Sequence, residues 1–100
     1  MWSKWISVTE KDLHSHIEAR MLQRGITLQE IKNTLNKGWE ASDAKPGISG
    51  KTMVYPYHKE WECQFHEEKE VTVYYKVVEE HPILLTVKAR YGKKFLRGEK

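Results

Sequence analysis

Val71-Thr72-Val73-Tyr74-Tyr75-Lys76-Val77-Val78 is the clearest β-strand of the sequence. All but Lys76 are β-branched or aromatic, the side chains that pack best on a pleated surface. Glu79-Glu80-His81-Pro82 then turns the chain, and residues 83–91 return as a second strand. Period-two alternation divides that return in two. Ile83, Leu85, Val87, Ala89 and Tyr91 read as core, while Leu84, Thr86, Lys88 and Arg90 read as the opposite face. Upstream, Glu67-Glu68-Lys69 reads as a hairpin tip, with a further strand near 61–66. Before it, Met53, Tyr55 and Tyr57 alternate with Thr52, Val54 and Pro56. Proline has no N–H for a ladder, so that strand bends at Pro56 or lies at an edge. Residues 41–51, with Pro46, Gly47, Ser49 and Gly50, read as a loop or a weak edge strand.

Toward the N-terminus the period changes to that of a helix. Leu13, Ile17 and Met21 form one stripe, preceded by the box-like Thr9-Glu10-Lys11-Asp12 and followed by Gly25 at a C′ position. Thr27-Leu28-Gln29-Glu30 is a full capping box, Leu28, Ile31 and Leu35 form the second stripe, and Gly38 ends it. These signals predict helices over about 10–24 and 28–37. Helices followed by strands argue an α+β fold, with two N-terminal helices packed on one face of a three- to four-stranded antiparallel sheet. The other face of the sheet stays free to carry a site.

The chain has 100 residues, 39% hydrophobic and 31% charged, which fits one globular domain spanning 1–100. No apolar run approaches the roughly 20 residues that span a bilayer, so no membrane association is expected. Cys63 is the only cysteine, so no internal disulfide forms, which suits a reducing, cytoplasmic setting. Cys63-x-x-His66 is half a zinc site without a second pair, and no phosphate-cradling glycine loop is present, so neither metal nor cofactor is expected. The formal net charge is +3, yet residues 86–97 carry Lys88, Arg90, Lys93, Lys94 and Arg97 and no acid. A basic cluster beside Tyr91 and Phe95 suits a polyanion such as RNA, or is a solvated basic tail.

On a helical wheel, His16 and Arg20 border the apolar stripe and are i, i+4 neighbours, with Arg24 one turn further on. An imidazole beside a guanidinium favours its neutral form and can act as a base; the plainer reading is a boundary pair with buried stems. On the last strand, Thr86, Lys88 and Arg90 present a hydroxyl, an amine and a guanidinium in a row. Cleaving an RNA phosphodiester through its 2′-OH needs a base, an acid and cations for the charged transition state. His16, Arg20, Arg90 and Tyr91 are the candidate catalytic residues. Arg24, Thr86, Lys88, Lys93 and Lys94 are candidates for holding RNA.

The run His16-Ile17-Glu18-Ala19-Arg20-Met21-Leu22-Gln23-Arg24-Gly25-Ile26-Thr27, followed by Glu30-Ile31, resembles the opening of a small bacterial and phage family of uncharacterised domains. That family is usually grouped with the BrnT and RelE-like ribonuclease toxins. The ending Leu85-Thr86-Val87-Lys88-Ala89-Arg90-Tyr91-Gly92 is similar to the family's last strand. The resemblance implies a RelE/BrnT-like fold and RNA cleavage without metal, carried by His16, Arg20 and the basic residues of the last strand. It also implies a protein partner of the antitoxin kind. The alternative is a non-enzymatic module of the same fold that binds nucleic acid or protein, such as a phage accessory factor.

Overall fold

The computed structural model describes Val8 and residues 13–97. Helices α1 (Ser15–Arg24) and α2 (Leu28–Lys37) precede strands β1 (Trp39–Glu40), β2 (Ser49–Trp61), β3 (Gln64–Val78) and β4 (His81–Gly92). The four strands form an antiparallel meander in the order β1-β2-β3-β4. Both helices pack on one face, α1 against β4 and α2 against β2 and β3. The expected α+β arrangement is therefore the one observed, with four strands.

The helical stripes and the inward face of the sheet make one core. Ile17, Ile31, Val71, Val73 and Val87 have no exposed surface, and Leu35 and Leu84 have almost none. Each such aliphatic side chain contributes roughly 1.5–3 kcal/mol by leaving water. Tyr55 links α2 to the sheet by a polar route. Its hydroxyl donates to the Glu30 carbonyl at 3.0 Å and meets the buried Thr34 hydroxyl at 2.8 Å.

Helix α1 begins at Ser15, later than residue 10, because His14 is extended (φ −85°, ψ 173°) and serves as its N-cap. The box-like residues 9–12 lie outside the described residues. The second cap is as expected: Thr27 Oγ1 accepts from the Glu30 N–H at 3.1 Å, and Glu30 Oε1 accepts from the Thr27 N–H at 3.0 Å. Gly38 brings the end of α2 against β2, where a Cβ would lie 2.4 Å from the Thr52 carbonyl oxygen.

Two strand expectations are corrected. The first hairpin does not turn at Glu67-Glu68-Lys69, which lies inside β3. It turns at Glu62 and Cys63, whose φ angles of 53° and 68° are those of a two-residue primed turn. Neither residue is the usual glycine or asparagine, so the turn carries no local signature. Residues 64–78 are one strand, and Lys69 is buried within it. The second correction concerns β4. Its register slips between the pairs Tyr74–Thr86 and Tyr75–Leu84, leaving Leu85 as the extra residue. One extra residue exchanges faces, so Leu84 is in the core while Ile83 is 41% exposed. On β2, the ladder is irregular between Pro56 and Lys59, as a proline in mid-strand requires.

Candidate functional site

Two polar clusters lie on opposite sides of the sheet. The first sits at the α1–α2 junction, on the helix side. Gly25 ends α1 in the left-handed conformation (φ 69°, ψ 36°). A Cβ there would lie 2.6 Å from the Trp61 ring and 2.9 Å from the Tyr91 hydroxyl. The buried Lys69 Nζ donates to the Gly25 carbonyl and to both Glu30 carboxylate oxygens, at 2.8 and 3.1 Å. Its charge also lies 5.6 Å from the Tyr91 ring and 5.7 Å from the Tyr57 ring. Tyr91 stacks on Trp61 with centroids 4.9 Å apart, and Tyr57 and His66 complete an aromatic cluster around it. The Tyr91 hydroxyl donates to the Arg24 carbonyl, and Arg24 Nη1 donates to the Val87 carbonyl of β4 at 2.8 Å. Burial, helped by the charges of Tyr57, Glu30 and Glu62, pushes the Tyr91 phenol well above the ordinary tyrosine range. It stays protonated and acts here as the donor to the Arg24 carbonyl. Thus Arg24-Gly25-Ile26-Thr27 has a structural account in every member: edge cover, left-handed cap, buried core residue and N-cap.

The second cluster is a groove of about 320 Å³ on the outer face, lined by Ala41, Ser42, Asp43, Thr52, Glu70, Thr72, Tyr74, Lys88 and Arg90. Its floor follows from strand register. Thr72 stands between Thr52 and Lys88, and Glu70 between Val54 and Arg90. The Thr52 and Thr72 hydroxyls bond each other at 3.1 Å and are buried, although they face away from the helices. The loop after β1 crosses above them and places Asp43 on two donors: Tyr74 OH at 2.7 Å and Lys88 Nζ at 3.2 Å. Those two donors hold the Asp43 carboxyl below the usual carboxylate range. Tyr74 and Asp43 in turn raise the Lys88 ammonium, and burial raises the Tyr74 phenol. Arg90 Nε donates to Glu70 Oε1 at 2.8 Å and its guanidinium lies 4.8 Å from the Phe95 ring. Beyond Gly92 the chain folds back, with the Phe95 N–H and Arg97 Nη2 both donating to Glu68.

The candidate residues from the sequence therefore fall into three places. Lys88, Arg90 and Thr86 share the outer face of β4, as alternation predicts, and the exposed Lys93 and Lys94 follow them. Arg24 and Tyr91 meet at the junction. His16 is exposed on α1, and the half-buried Arg20 contacts Gln23 at 3.4 Å. The structure does not bring His16 and Arg20 together with Lys88 and Arg90, because α1 lies on the face of β4 that carries Val87 and Ala89. The basic strip is also less bare than its sequence suggests: Lys88, Arg90 and Arg97 each pair with an acid from elsewhere in the chain. Sequence reasoning missed Asp43, Glu70 and Tyr74 as groove residues. It also missed His14, whose Nε2 donates to the Leu84 carbonyl of β4 at 3.2 Å. Only Glu70 and Tyr74 had a findable signal, the alternation that places them beside Thr72.

This combination defines a class: an α+β domain with two helices on one face of an antiparallel meander and a polar groove on the other. The chain belongs to the family described as a domain of unknown function, DUF4258, which matches residues 13–96. The match takes in both the helical junction and the whole of the outer face. No curated protein and no solved structure matches the chain. Among the described residues, no helix is long and apolar enough to cross a membrane.

Proposed function

We propose that this domain binds RNA through the outer face of its sheet, as a module related to the BrnT- and RelE-like ribonuclease toxins that its opening motif resembles. The observation that carries the reading is the groove, where Lys88 and Arg90 stand beside the Tyr74 hydroxyl above a floor of buried threonines. Arg90 offers a planar fork to phosphate, Lys88 a point charge, and the exposed Lys93 and Lys94 add positive charge just beyond the end of the strand. A protein partner of the antitoxin kind would cover the same face, meeting those cations with acidic side chains.

A second reading, metal-independent cleavage of the bound RNA, is favoured by Glu70. Its carboxylate sits in the same groove and is held by Arg90 at 2.8 Å. In this reading Glu70 takes the proton of the ribose 2′-OH, the 2′-oxygen attacks phosphorus, and the 5′-oxygen leaves with a proton from water. The cations stabilise the charge that gathers on the phosphate oxygens.

One experiment tests both. Labelled mixed-sequence RNA is incubated in EDTA with the natural protein and with Lys88→Ala, Arg90→Ala, Glu70→Gln and His16→Ala variants, with binding and cleavage measured in parallel. Salt-dependent binding weakened in Lys88→Ala and Arg90→Ala but kept in His16→Ala is the expected result. Cleavage lost in Glu70→Gln and kept in His16→Ala adds the enzymatic reading. Cleavage lost in His16→Ala returns the chemistry to α1 and overturns the outer-face assignment. Neither binding nor cleavage overturns the RNA reading.

A further inference from the structure

One corner of the groove contains a smaller site, and its interpretation rests on the RNA reading of the outer face. Tyr74 on β3 and Lys88 on β4 aim two donors at a single point, and a carboxylate fills it: Asp43 Oδ1 accepts from Tyr74 OH at 2.7 Å and Oδ2 from Lys88 Nζ at 3.2 Å. Strand register brings the two residues side by side on the outer face. Tyr74 pairs with Thr86 and Lys88 with Thr72 in continuous ladder, and the ammonium rests 5.2 Å from the Tyr74 ring centroid. The acceptor comes from a loop. That loop is tied to β2 by the Ala41 N–H on the Gly50 carbonyl and closed by the Ile48 N–H on the Lys45 carbonyl. Between those ties, Asp43 reaches the sheet through its side chain. The Asp43 and Lys88 side chains remain 60% and 45% exposed, so solvent screens the pair and holds it weakly.

Two neighbouring donors meeting one carboxylate have the geometry that an anionic tetrahedral oxyacid would use. A phosphate presents the same acceptor oxygens as a carboxylate, with more of them and more charge. We propose that the Lys88–Tyr74 corner is a phosphate subsite, that Asp43 occupies it in the free protein, and that Asp43 yields it to a phosphate-bearing ligand. Asp43 is then a built-in competitor. It keeps the groove closed to weak anions and sets the affinity a phosphate must reach. The same chemistry serves free phosphate and the backbone of RNA, and the two sources are separated by the probe.

The test compares the natural protein with Asp43→Asn, Lys88→Ala and the double variant. Inorganic phosphate is titrated against backbone amide shifts of residues 43, 74 and 88, and a fluorescein-labelled oligouridylate is titrated by anisotropy across a salt series. Asp43→Asn is expected to bind both probes about 2- to 5-fold tighter, the gain from releasing one exposed ion pair. Its RNA salt dependence should steepen by about one phosphate contact. Both gains should vanish in the double variant, which should match Lys88→Ala. Equal phosphate binding by Asp43→Asn and the natural protein overturns the subsite, as does phosphate binding by neither or a gain that survives Lys88→Ala. If Asp43→Asn gains phosphate affinity while both proteins ignore RNA, the subsite stands and the RNA reading fails. If RNA binds both alike and phosphate does not distinguish them, the RNA reading stands and the subsite fails.

Discussion

The junction at Gly25 and the groove at Asp43 hold similar chemistry in opposite settings. Each has a lysine bonded to a carboxylate beside a tyrosine. At the junction the Lys69 side chain is 3% exposed, and each of its partners is fixed by other contacts: Glu30 by the capping box, Gly25 by the Trp61 ring. At the groove, Lys88 is 45% exposed and its partner hangs from a loop. A buried ammonium cannot exchange its partner for water without a large penalty, whereas an exposed one exchanges freely. Burial thus separates the polar cluster that is architecture from the one available to a ligand. Tyrosine follows the same division: Tyr91 locks helix to strand, while Tyr74 lends its hydroxyl to the groove.

The largest effect that would break this contrast is at Lys69. Lys69→Ala leaves Glu30 partly buried without its cation and removes the donor from the Gly25 carbonyl. Loss of one partner from a buried pair costs roughly 3–5 kcal/mol, and Glu30 keeps 20% exposure, which favours about 3. Urea unfolding measures this directly. A loss below about 1 kcal/mol would mean that the junction is as exchangeable as the groove.

Gly25→Ala comes next. A Cβ at φ 69° is strained by about 1 kcal/mol or more, and here it also meets the Trp61 ring at 2.6 Å. The expected loss is about 2–3 kcal/mol. Trp61→Leu placed on top of Gly25→Ala should recover part of it by removing the obstructing ring. Absence of recovery would leave the backbone conformation and the Tyr91 hydroxyl, 2.9 Å from that Cβ, as what requires the glycine.

The unequal legibility of these two regions in the sequence has a physical basis. The helices, the Thr27 capping box and Gly25 were readable because their signals are local: stripe, cap and left-handed stop all lie within one turn of each other. The outward row of Thr86, Lys88 and Arg90 was readable from alternation. Three things were not. The turn at Glu62 and Cys63 places two non-glycine residues at positive φ, against local preference, so Glu67-Glu68-Lys69 offered the more polar tip. Lys69 looked like surface because its partners, Gly25 and Glu30, are distant in sequence. In Ile83-Leu84-Leu85 three successive aliphatic residues hide which one faces the core, and the register slip at Leu85 decides it. Likewise, nothing in the sequence around Asp43 points to Lys88. That pairing exists only once the loop crosses the sheet.

A smaller effect separates the two tyrosine sites. Tyr91→Phe removes one hydroxyl bond to the Arg24 carbonyl, for about 1 kcal/mol. Its pH signature is sharper. The folded phenol titrates above the ordinary value of 10.0. A group whose folded pKa is raised contributes stability fully below its unfolded pKa and loses it as pH rises through the folded one. The natural protein should therefore lose stability above about pH 10 more steeply than Tyr91→Phe. Tyrosinate absorbance should show one fewer late-titrating phenol in that variant. Parallel stability curves would contradict the assignment of Tyr91 as a buried donor.

The smallest effect is the most discriminating. Lys88→Ala should change unfolding stability by no more than about 0.5 kcal/mol, because its ion pair with Asp43 is exposed on both sides and long-chain ordering offsets the attraction. Added salt should erase even that difference, since screening at 1 M reaches only about 3 Å. The Lys69–Glu30 pair, shielded from counterions, should keep its contribution under the same conditions. Salt series on the natural protein, Lys88→Ala and Lys69→Ala then give a direct ordering. A salt-sensitive gap for Lys88→Ala beside a salt-insensitive gap for Lys69→Ala places the exchangeable charge on the outer face. A large, salt-insensitive loss in Lys88→Ala would make Asp43 a structural clasp and remove the groove from the surfaces open to phosphate.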